Sequence, residues 1–218
     1  MKTNQDLQKD VETALRWEPL LNTSAIGVIA LDGIITLTGT VDSYAKKSEA
    51  EDAAKKVAGV KVIIEQIEVI LGSEIRKTDQ ETAREILSTL AASWVPAEKL
   101  KITVEHGVVT LEGSLHWNFQ KQAAKKSIKN ISGVKKIKNL IVIRAETHDE
   151  VEKKHLENAL KLNWSMTDQD VRVTVSGKTV ILNGVVNSYY QKEEAERIAW
   201  QAAGVNTVVN ELAIDLKD

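Results

Sequence analysis

Apolar and polar residues alternate with a period of two over short runs, then switch to a three-to-four-residue spacing, and the whole pattern recurs three times along the chain. Ile26, Val28 and Ala30 fall on one face of a strand, as do Leu100, Ile102 and Val104, and later Val171, Val173 and Val175. Each is followed by a turn and a second strand carrying Ile35 and Leu37, Val109 and Leu111, or Val180 and Leu182. A helix comes next, marked by Ala50, Ala54 and Val57, by Ala124, Ile128 and Ile131, and by Ala195, Ala199 and Ala202. A last strand carries Ile63, Ile67 and Val69, then Ile137, Ile141 and Ile143, then Val208, Leu212 and Ile214. An opening helix precedes each set, with stripes of Leu7, Val11, Ala14 and Leu15, of Ile75, Ala83, Ile86, Leu87 and Leu90, and of Val151, Leu156, Ala159 and Leu160. The pattern predicts an α+β protein of three tandem α-β-β-α-β units, over residues 1–72, 73–145 and 146–218. Each unit is expected to be a three-stranded mixed sheet with two helices on one face.

The repeat is visible residue by residue. DGIITLTG, HGVVTLEG and GKTVILNG align without gaps, and their closing glycines, Gly39, Gly113 and Gly184, are each followed 20 residues later by Gly-Val. Asp32-Gly33, His106-Gly107 and Gly177-Lys178 then occupy the hairpin turn between the first two strands, Asp-Gly being a strong signal for such a turn. This placement disposes of a phosphate-loop reading of Ser176-Gly177-Lys178-Thr179: the loop would need a glycine where Arg172 stands, and Val173 to Val175 alternate as a strand. Gly59, Gly133 and Gly204 are expected to stop the second helices at their C′ positions. The links at Gly72-Ser73 and Ala145-Glu146 are too short for flexible tethers, so the three units are expected to touch.

These residues resemble the BON domain, named for bacterial osmotic-shock and nodulation proteins. The resemblance rests on Ala14-Leu15, Asp32 to Gly39 and Gly59 to Ile67, on His106 to Gly113 and Gly133 to Ile141, and on Ala159-Leu160, Gly177 to Gly184 and Gly204 to Leu212. Glu65 departs from it where Asn139 and Asn210 stand in the other copies. The resemblance implies a non-enzymatic stress-response or envelope module that contacts phospholipid or binds protein clients in a chaperone-like way, as in osmotically inducible proteins.

Candidate chemistry adds little to this. The chain has no cysteine, which excludes disulfides, thiolate metal sites and a thiol nucleophile. Of four histidines, His106, His116, His148 and His155, none has the spacing of a helical metal motif, and His148 with His155 reads as solvated helix rather than as a metal site. No catalytic residues, metal or cofactor are therefore expected. The first residues lack the apolar core of a leader and no apolar run is long enough to span a bilayer, so the expected location is cytoplasmic if Met1 is the native start, and periplasmic if a leader has been removed.

Charge changes the picture more. The formal net charge of −2 hides 8 basic and 11 acidic residues over 1–73, 13 and 8 over 74–146, and 8 and 12 over 147–218. In the basic middle unit Lys121, Lys125 and Lys129 share a helix side, with Lys126 beside them and Lys135, Lys136 and Lys138 just beyond. With Trp117 and Phe119 at the helix start they form a candidate site for anionic phospholipid headgroups, the competing readings being pairing with the acidic outer units and plain solvation. Nucleic acid fits less well, because the flanking acidic units would repel an extended polyanion. Trp17, Trp94 and Trp164, each just after an opening helix, are expected to close the core edge, and Trp200 to be buried between helices or units. On the sheet face opposite the helices, the first unit carries Ile29, Leu31, Ile34 and Ile64 where the second has Thr103, Glu105, Val108 and Lys138. That apolar face is expected to pack on a neighbouring unit or on a second chain, by self-association, or to engage protein clients.

Overall fold

The computed structural model describes residues 2–21, 25–72, 77–144, 151, 153–163 and 170–215. The first repeat runs α1 (Asn4–Arg16), β1 (Ile26–Leu31), β2 (Ile34–Val41), α2 (Tyr44–Lys55) and β3 (Val62–Val69). The second runs α3 (Asp79–Ala91), β4 (Leu100–Glu105), β5 (Val108–Leu115), α4 (Asn118–Ile128) and β6 (Lys136–Ile143). The third runs α5 (Lys153–Leu162), β7 (Asp170–Ser176), β8 (Thr179–Val186), α6 (Tyr189–Ala199) and β9 (Thr207–Ile214). The chain divides into two compact units, one of Met1–Thr38, Glu49–Gln66 and Glu146–Asp218, the other of Gly39–Ser48 and Ile67–Ala145.

Each repeat forms its own three-stranded sheet with the second strand of the hairpin in the centre. In the second, β5 runs antiparallel to β4, with Leu111 opposite Ile102, and parallel to β6, with Leu111 beside Asn139. The third has the same register, Leu182 lying opposite Val173 and beside Asn210. A parallel partner cannot be reached by a tight turn, so α4 and α6 make the crossover and lie against the sheet beside the opening helix. Val109, Leu111, Ala124, Ile128 and Ile141 are buried between these layers, as are Val180, Leu182, Ala195, Ala199 and Leu212 in the third repeat. The expected mixed sheet with two helices on one face is the observed architecture.

Local chemistry sets the boundaries. Thr3 and Thr78 cap α1 and α3 by capping boxes: the Thr78 hydroxyl accepts from the Glu81 N–H at 3.2 Å, and the Glu81 carboxylate accepts from the Thr78 N–H at 2.8 Å. The hydrogen bonds that the Glu81 carboxylate accepts from Thr78, from the backbone N–H first and then from the hydroxyl at 2.9 Å, hold its pKa below its ordinary value. Asp32-Gly33 and His106-Gly107 have positive φ at both residues, 51° and 84°, then 52° and 80°, as a type I′ hairpin requires. Gly177 alone is positive in the third turn, which fits a II′ geometry and confirms that the Gly-Lys pair belongs to a hairpin.

Three expectations need correction. In α3 the buried line is Thr82, Ile86 and Leu90, and Leu87 is exposed, because one residue along the helix rotates a side chain about 100° off the stripe. Ala159 is likewise exposed on α5, where Leu156 and Leu160 carry the core contact. The second helices end at Lys55, Ile128 and Ala199, before Gly59, Gly133 and Gly204, so these glycines turn the chain into the last strand instead of standing at C′. Ile75, His148, Trp164 and the links at Ser73 and Ala145-Glu146 lie outside the described residues.

A recurrent lysine ties helix to sheet. Lys47 Nζ donates to the Ile67 carbonyl at 2.6 Å, and Lys192 Nζ to the Leu212 carbonyl at 2.7 Å. Asn139 and Asn210 add a second tie, their side-chain amides donating to the Lys121 and Lys192 carbonyls at 3.0 and 2.8 Å. Substituting Lys192→Ala removes a charge-assisted, half-buried bond and should lower the stability of the third repeat by about 1–2 kcal/mol in a urea titration. An unchanged midpoint would show that the bond contributes nothing.

Candidate functional site

The second repeat carries a cluster of exposed aromatic rings. Trp94 follows α3, Trp117 sits at the N-cap of α4, and Phe119 is in the first turn of that helix. The ring centroids of Trp94 and Phe119 are 5.1 Å apart, and those of Trp117 and Phe119 are 6.1 Å apart and stacked. Exposures of 62% for Trp94, 54% for Phe119 and 36% for Trp117 show that the cluster is presented to solvent. The expectation that Trp94 closes the core edge is therefore wrong, as is the same expectation for Trp17, which is 81% exposed. The physical reason is that Val95, next to Trp94, is buried in its place, leaving the indole to pack on Phe119. Trp200 is half-buried against the third repeat's core, with its indole N–H directed to Glu196 at 3.4 Å.

The structure sorts the seven lysines into different environments. Lys126 is exposed and follows Phe119 and Gln122 at i, i+3, i+7, so it shares their side of α4. Lys121, Lys125 and Lys129 are half-buried. Lys121 occupies the place of Lys47 and Lys192, the lysines that donate to a strand carbonyl, which marks it as a packing position. Lys136 and Lys138 alternate with the inward Ile137 and therefore stand on the opposite face of the sheet from α4. Lys135 is exposed in the turn before β6. The lysines thus do not form one surface, because strand and helix belong to different layers.

Polar groups near the rings are tied to the fold. His116 Nδ1 lies 3.0 Å from the Arg144 carbonyl, and its Nε2 lies 2.7 Å from Lys99 Nζ. A carbonyl only accepts, so Nδ1 carries the proton and Nε2 accepts from the ammonium. Gln120 Oε1 accepts from the Trp117 N–H at 3.2 Å and fixes the entry to α4. Trp94 was legible in the sequence as a recurrent tryptophan, but nothing there showed that its ring meets Phe119 in space.

Two other surfaces stand out. Ile29, Leu31, Ile34 and Ile64 are all exposed, as alternation predicts for the outer face of the first sheet, and Val62 joins them. In the second repeat Leu140 and Val142 are exposed beyond Lys138 on the corresponding face. The first and third repeats touch, although they are not consecutive in the chain. Lys55 Nζ pairs with Glu51 at 3.0 Å and with Glu193 at 2.8 Å, and lies 5.5 Å from the centre of the Tyr189 ring. The Gly59 N–H donates to the Asn187 carbonyl at 3.3 Å, and Lys61 meets Asp215 at 4.0 Å. Burial alone would lower the Lys55 pKa, but the Glu193 hydrogen bond and the two carboxylate charges outweigh it and hold the pKa above the ordinary lysine value. Burial pushes the neighbouring Asp52 carboxyl up.

Among the described residues no group of His, Asp or Glu could hold a metal ion, and no helix is long and apolar enough to cross a membrane.

The BON domain pattern matches the chain at residues 3–70, 78–145 and 148–215. Osmotically-inducible protein Y of Escherichia coli (strain K12) is 31% identical over 134 residues, covering 59% of this chain and 67% of that protein. An uncharacterized protein in the gshII 5′ region of Anaplasma centrale is 47% identical over 45 residues, 21% of this chain and 30% of that one. Among solved structures, the C-terminal domain of CdsD, a structural protein of the type III secretion system of Chlamydia trachomatis, is 16% identical, with a TM-score of 0.26 over 99% of this chain and 100% of that one. The PrgH periplasmic domain is 9% identical, with a TM-score of 0.20 over 88% and 95%.

Proposed function

The chain belongs to the BON domain family and carries the domain three times, and from that premise we propose that it is a non-enzymatic stress-response protein that contacts anionic phospholipid surfaces through its second repeat. The stress-response part of the reading draws on its similarity to an osmotically inducible protein. The observation that carries the lipid part is the solvent-facing cluster of Trp94, Phe119 and Trp117, with Lys126 on the same side of α4 as Phe119. Indole and phenyl rings settle at the interface between headgroups and acyl chains, and a nearby cation adds about 1 kcal/mol of attraction to an anionic leaflet within a Debye length. The excess of basic over acidic residues in 74–146 favours approach, and the acidic outer segments turn the approach toward the middle repeat.

Flotation with anionic and with neutral vesicles tests this. Anionic vesicles should capture the chain at low salt and lose it as salt rises, while neutral ones should capture little. The triple substitution Trp94→Ala, Phe119→Ala and Lys126→Glu should weaken capture at least about tenfold, since it removes two interfacial rings and reverses one charge. All three side chains are exposed, so circular dichroism should be unchanged. Equal capture of the variant would refute the site.

A second reading, chaperone-like binding of partner chains through apolar sheet faces, is favoured by the exposure of Ile29, Leu31, Ile34 and Ile64. Suppression of client aggregation that is lost on Ile29→Lys, and not on the triple substitution, would select it over lipid contact.

A further inference from the structure

We propose that acid strengthens the anionic-lipid contact of the second repeat through His116, which turns from the acceptor of a lysine hydrogen bond into a second cation beside the rings. The proposal rests on the lipid reading above and names the regulation of that site. Three segments meet at the imidazole. His116 lies between β5 and α4, one residue before Trp117. Lys99 closes the one-turn helix Ala97–Lys99 that follows Trp94 and the buried Val95, and Arg144 follows β6.

Each contact of the ring permits one protonation state. The Arg144 carbonyl, 3.0 Å from Nδ1, can only accept, and the Lys99 ammonium, 2.7 Å from Nε2, can only donate. The arrangement therefore requires a neutral imidazole with its proton on Nδ1. Histidine is the side chain whose charge ordinarily changes between about pH 5 and 8. A proton added at Nε2 removes the lone pair that receives Lys99 and sets two cations 2.7 Å apart, so the ammonium must swing into solvent. The Nδ1–H keeps its carbonyl, in a bond that the new charge strengthens, so the ring stays in place. The backbone has no need to move. Leu100 pairs with Gly113, the Lys99 N–H donates to the Pro96 carbonyl at 3.1 Å, and the Arg144 N–H donates to the Leu115 carbonyl at 2.8 Å.

The neighbouring charges add to the effect. Lys99 and Arg144, both exposed, face the ring from two sides, and Lys121 follows one turn into α4. Exposed Glu98 stands beside Lys99 in sequence, and Lys101 and Glu112, farther along β4 and β5, pair with each other at 3.3 Å. Adjacent Cα atoms are ~3.8 Å apart, so a charge on His116 lies within a Debye length of a leaflet that receives Trp117. The fold does not require the pair. Asp42 and Asn187 stand at the place of His116 in the other repeats, and Ala25 and Asp170 at the place of Lys99. Histidine and lysine meet only in the repeat that carries the ring cluster.

Flotation at low salt tests the switch, with vesicles of phosphatidylglycerol in phosphatidylcholine, whose phosphodiesters keep their charge throughout this range. Capture should be about fivefold tighter at about pH 5.5 than at about pH 7.5, the effect of one cation near an anionic leaflet, and vesicles of phosphatidylcholine alone should show no such rise. His116→Gln, whose amide can still donate to the Arg144 carbonyl, and His116→Arg should each bring the ratio of acid to neutral capture close to one. His106→Gln, in the hairpin turn, should keep the wild-type ratio. In the lipid-free chain, nitrogen NMR of the imidazoles should place the His116 proton on Nδ1 at neutral pH. Equal capture of the wild-type chain at both pH values would overturn the switch and leave the lipid reading standing, whereas capture at neither would remove both. A His116→Gln chain that keeps the fivefold ratio, a His106→Gln chain that loses it, an equal rise on phosphatidylcholine alone, or a His116 proton on Nε2 would also overturn the proposal.

Discussion

Replacing Gly113 with alanine should destabilise the second repeat by about 4 kcal/mol, one of the largest single effects available in the chain. Gly113 lies inside β5 at φ +134°, a conformation that side chains rarely adopt. A Cβ there would stand 2.3 Å from the Lys99 carbonyl oxygen and 3.3 Å from Leu100 Cα. Those are backbone atoms at the start of β4, held by the pairing of Leu100 with Gly113, so they cannot withdraw without opening the hairpin. Gly72→Ala is the matched control: its Cβ would meet nothing within 4 Å and its φ is ordinary, so it should lie within about 1 kcal/mol of the parent, on the stabilising side. Urea unfolding of the two variants checks both. A Gly113→Ala midpoint close to that of Gly72→Ala would mean that the close approach is not a feature of the folded chain.

Leu111→Ala should cost about 3–4 kcal/mol, from lost transfer free energy and the cavity left between sheet and helices. Leu111 is fully buried on the central strand, opposite Ile102 and beside Asn139. A repeat of about 70 residues has only a few kcal/mol of stability to lose, so the second repeat should unfold at a lower denaturant concentration than the third. Hydrogen exchange read separately on β4–β6 and β7–β9 amides tests this. Faster exchange confined to β4–β6 is the expected result, and vesicle capture should fall with it, because Trp94 and Phe119 meet only when α3 and α4 are docked. Uniform acceleration across both sheets would show that the repeats unfold together, and a loss below about 1 kcal/mol would remove Leu111 from the core.

Much of the site was present in the sequence without being readable there. Trp117, Phe119 and Lys126 stand close together along the sequence, whereas the place of Trp94 just after an amphipathic helix, shared with Trp17 and Trp164, points to the core edge. Periodicity says which side of a helix is buried, but it says nothing about a residue past the helix end, where Val95 and not Trp94 turns inward. Lys121, Lys125 and Lys129 have the spacing of a stripe, and that spacing cannot separate a solvent-facing stripe from one at the edge of the sheet. The equivalent Lys47 and Lys192 show how such a lysine is used, as a donor to a strand carbonyl.

The sequence by itself determined the three repeats, the order of helices and strands, the hairpin turns at Asp32-Gly33 and His106-Gly107, and the assignment of Ile29, Leu31, Ile34 and Ile64 to an outer face. These follow from local periodicity and turn chemistry, which act over a few residues and leave their mark in the order of side chains. The tertiary structure alone decided that the Trp94 ring packs at a tilt against Phe119, that Lys136 and Lys138 lie across the sheet from Lys126, and that Lys55 reaches Glu193. Each of these joins residues from separate elements, and their distance is set by how helices pack on sheets and by what burial leaves over, quantities that no window along the chain contains.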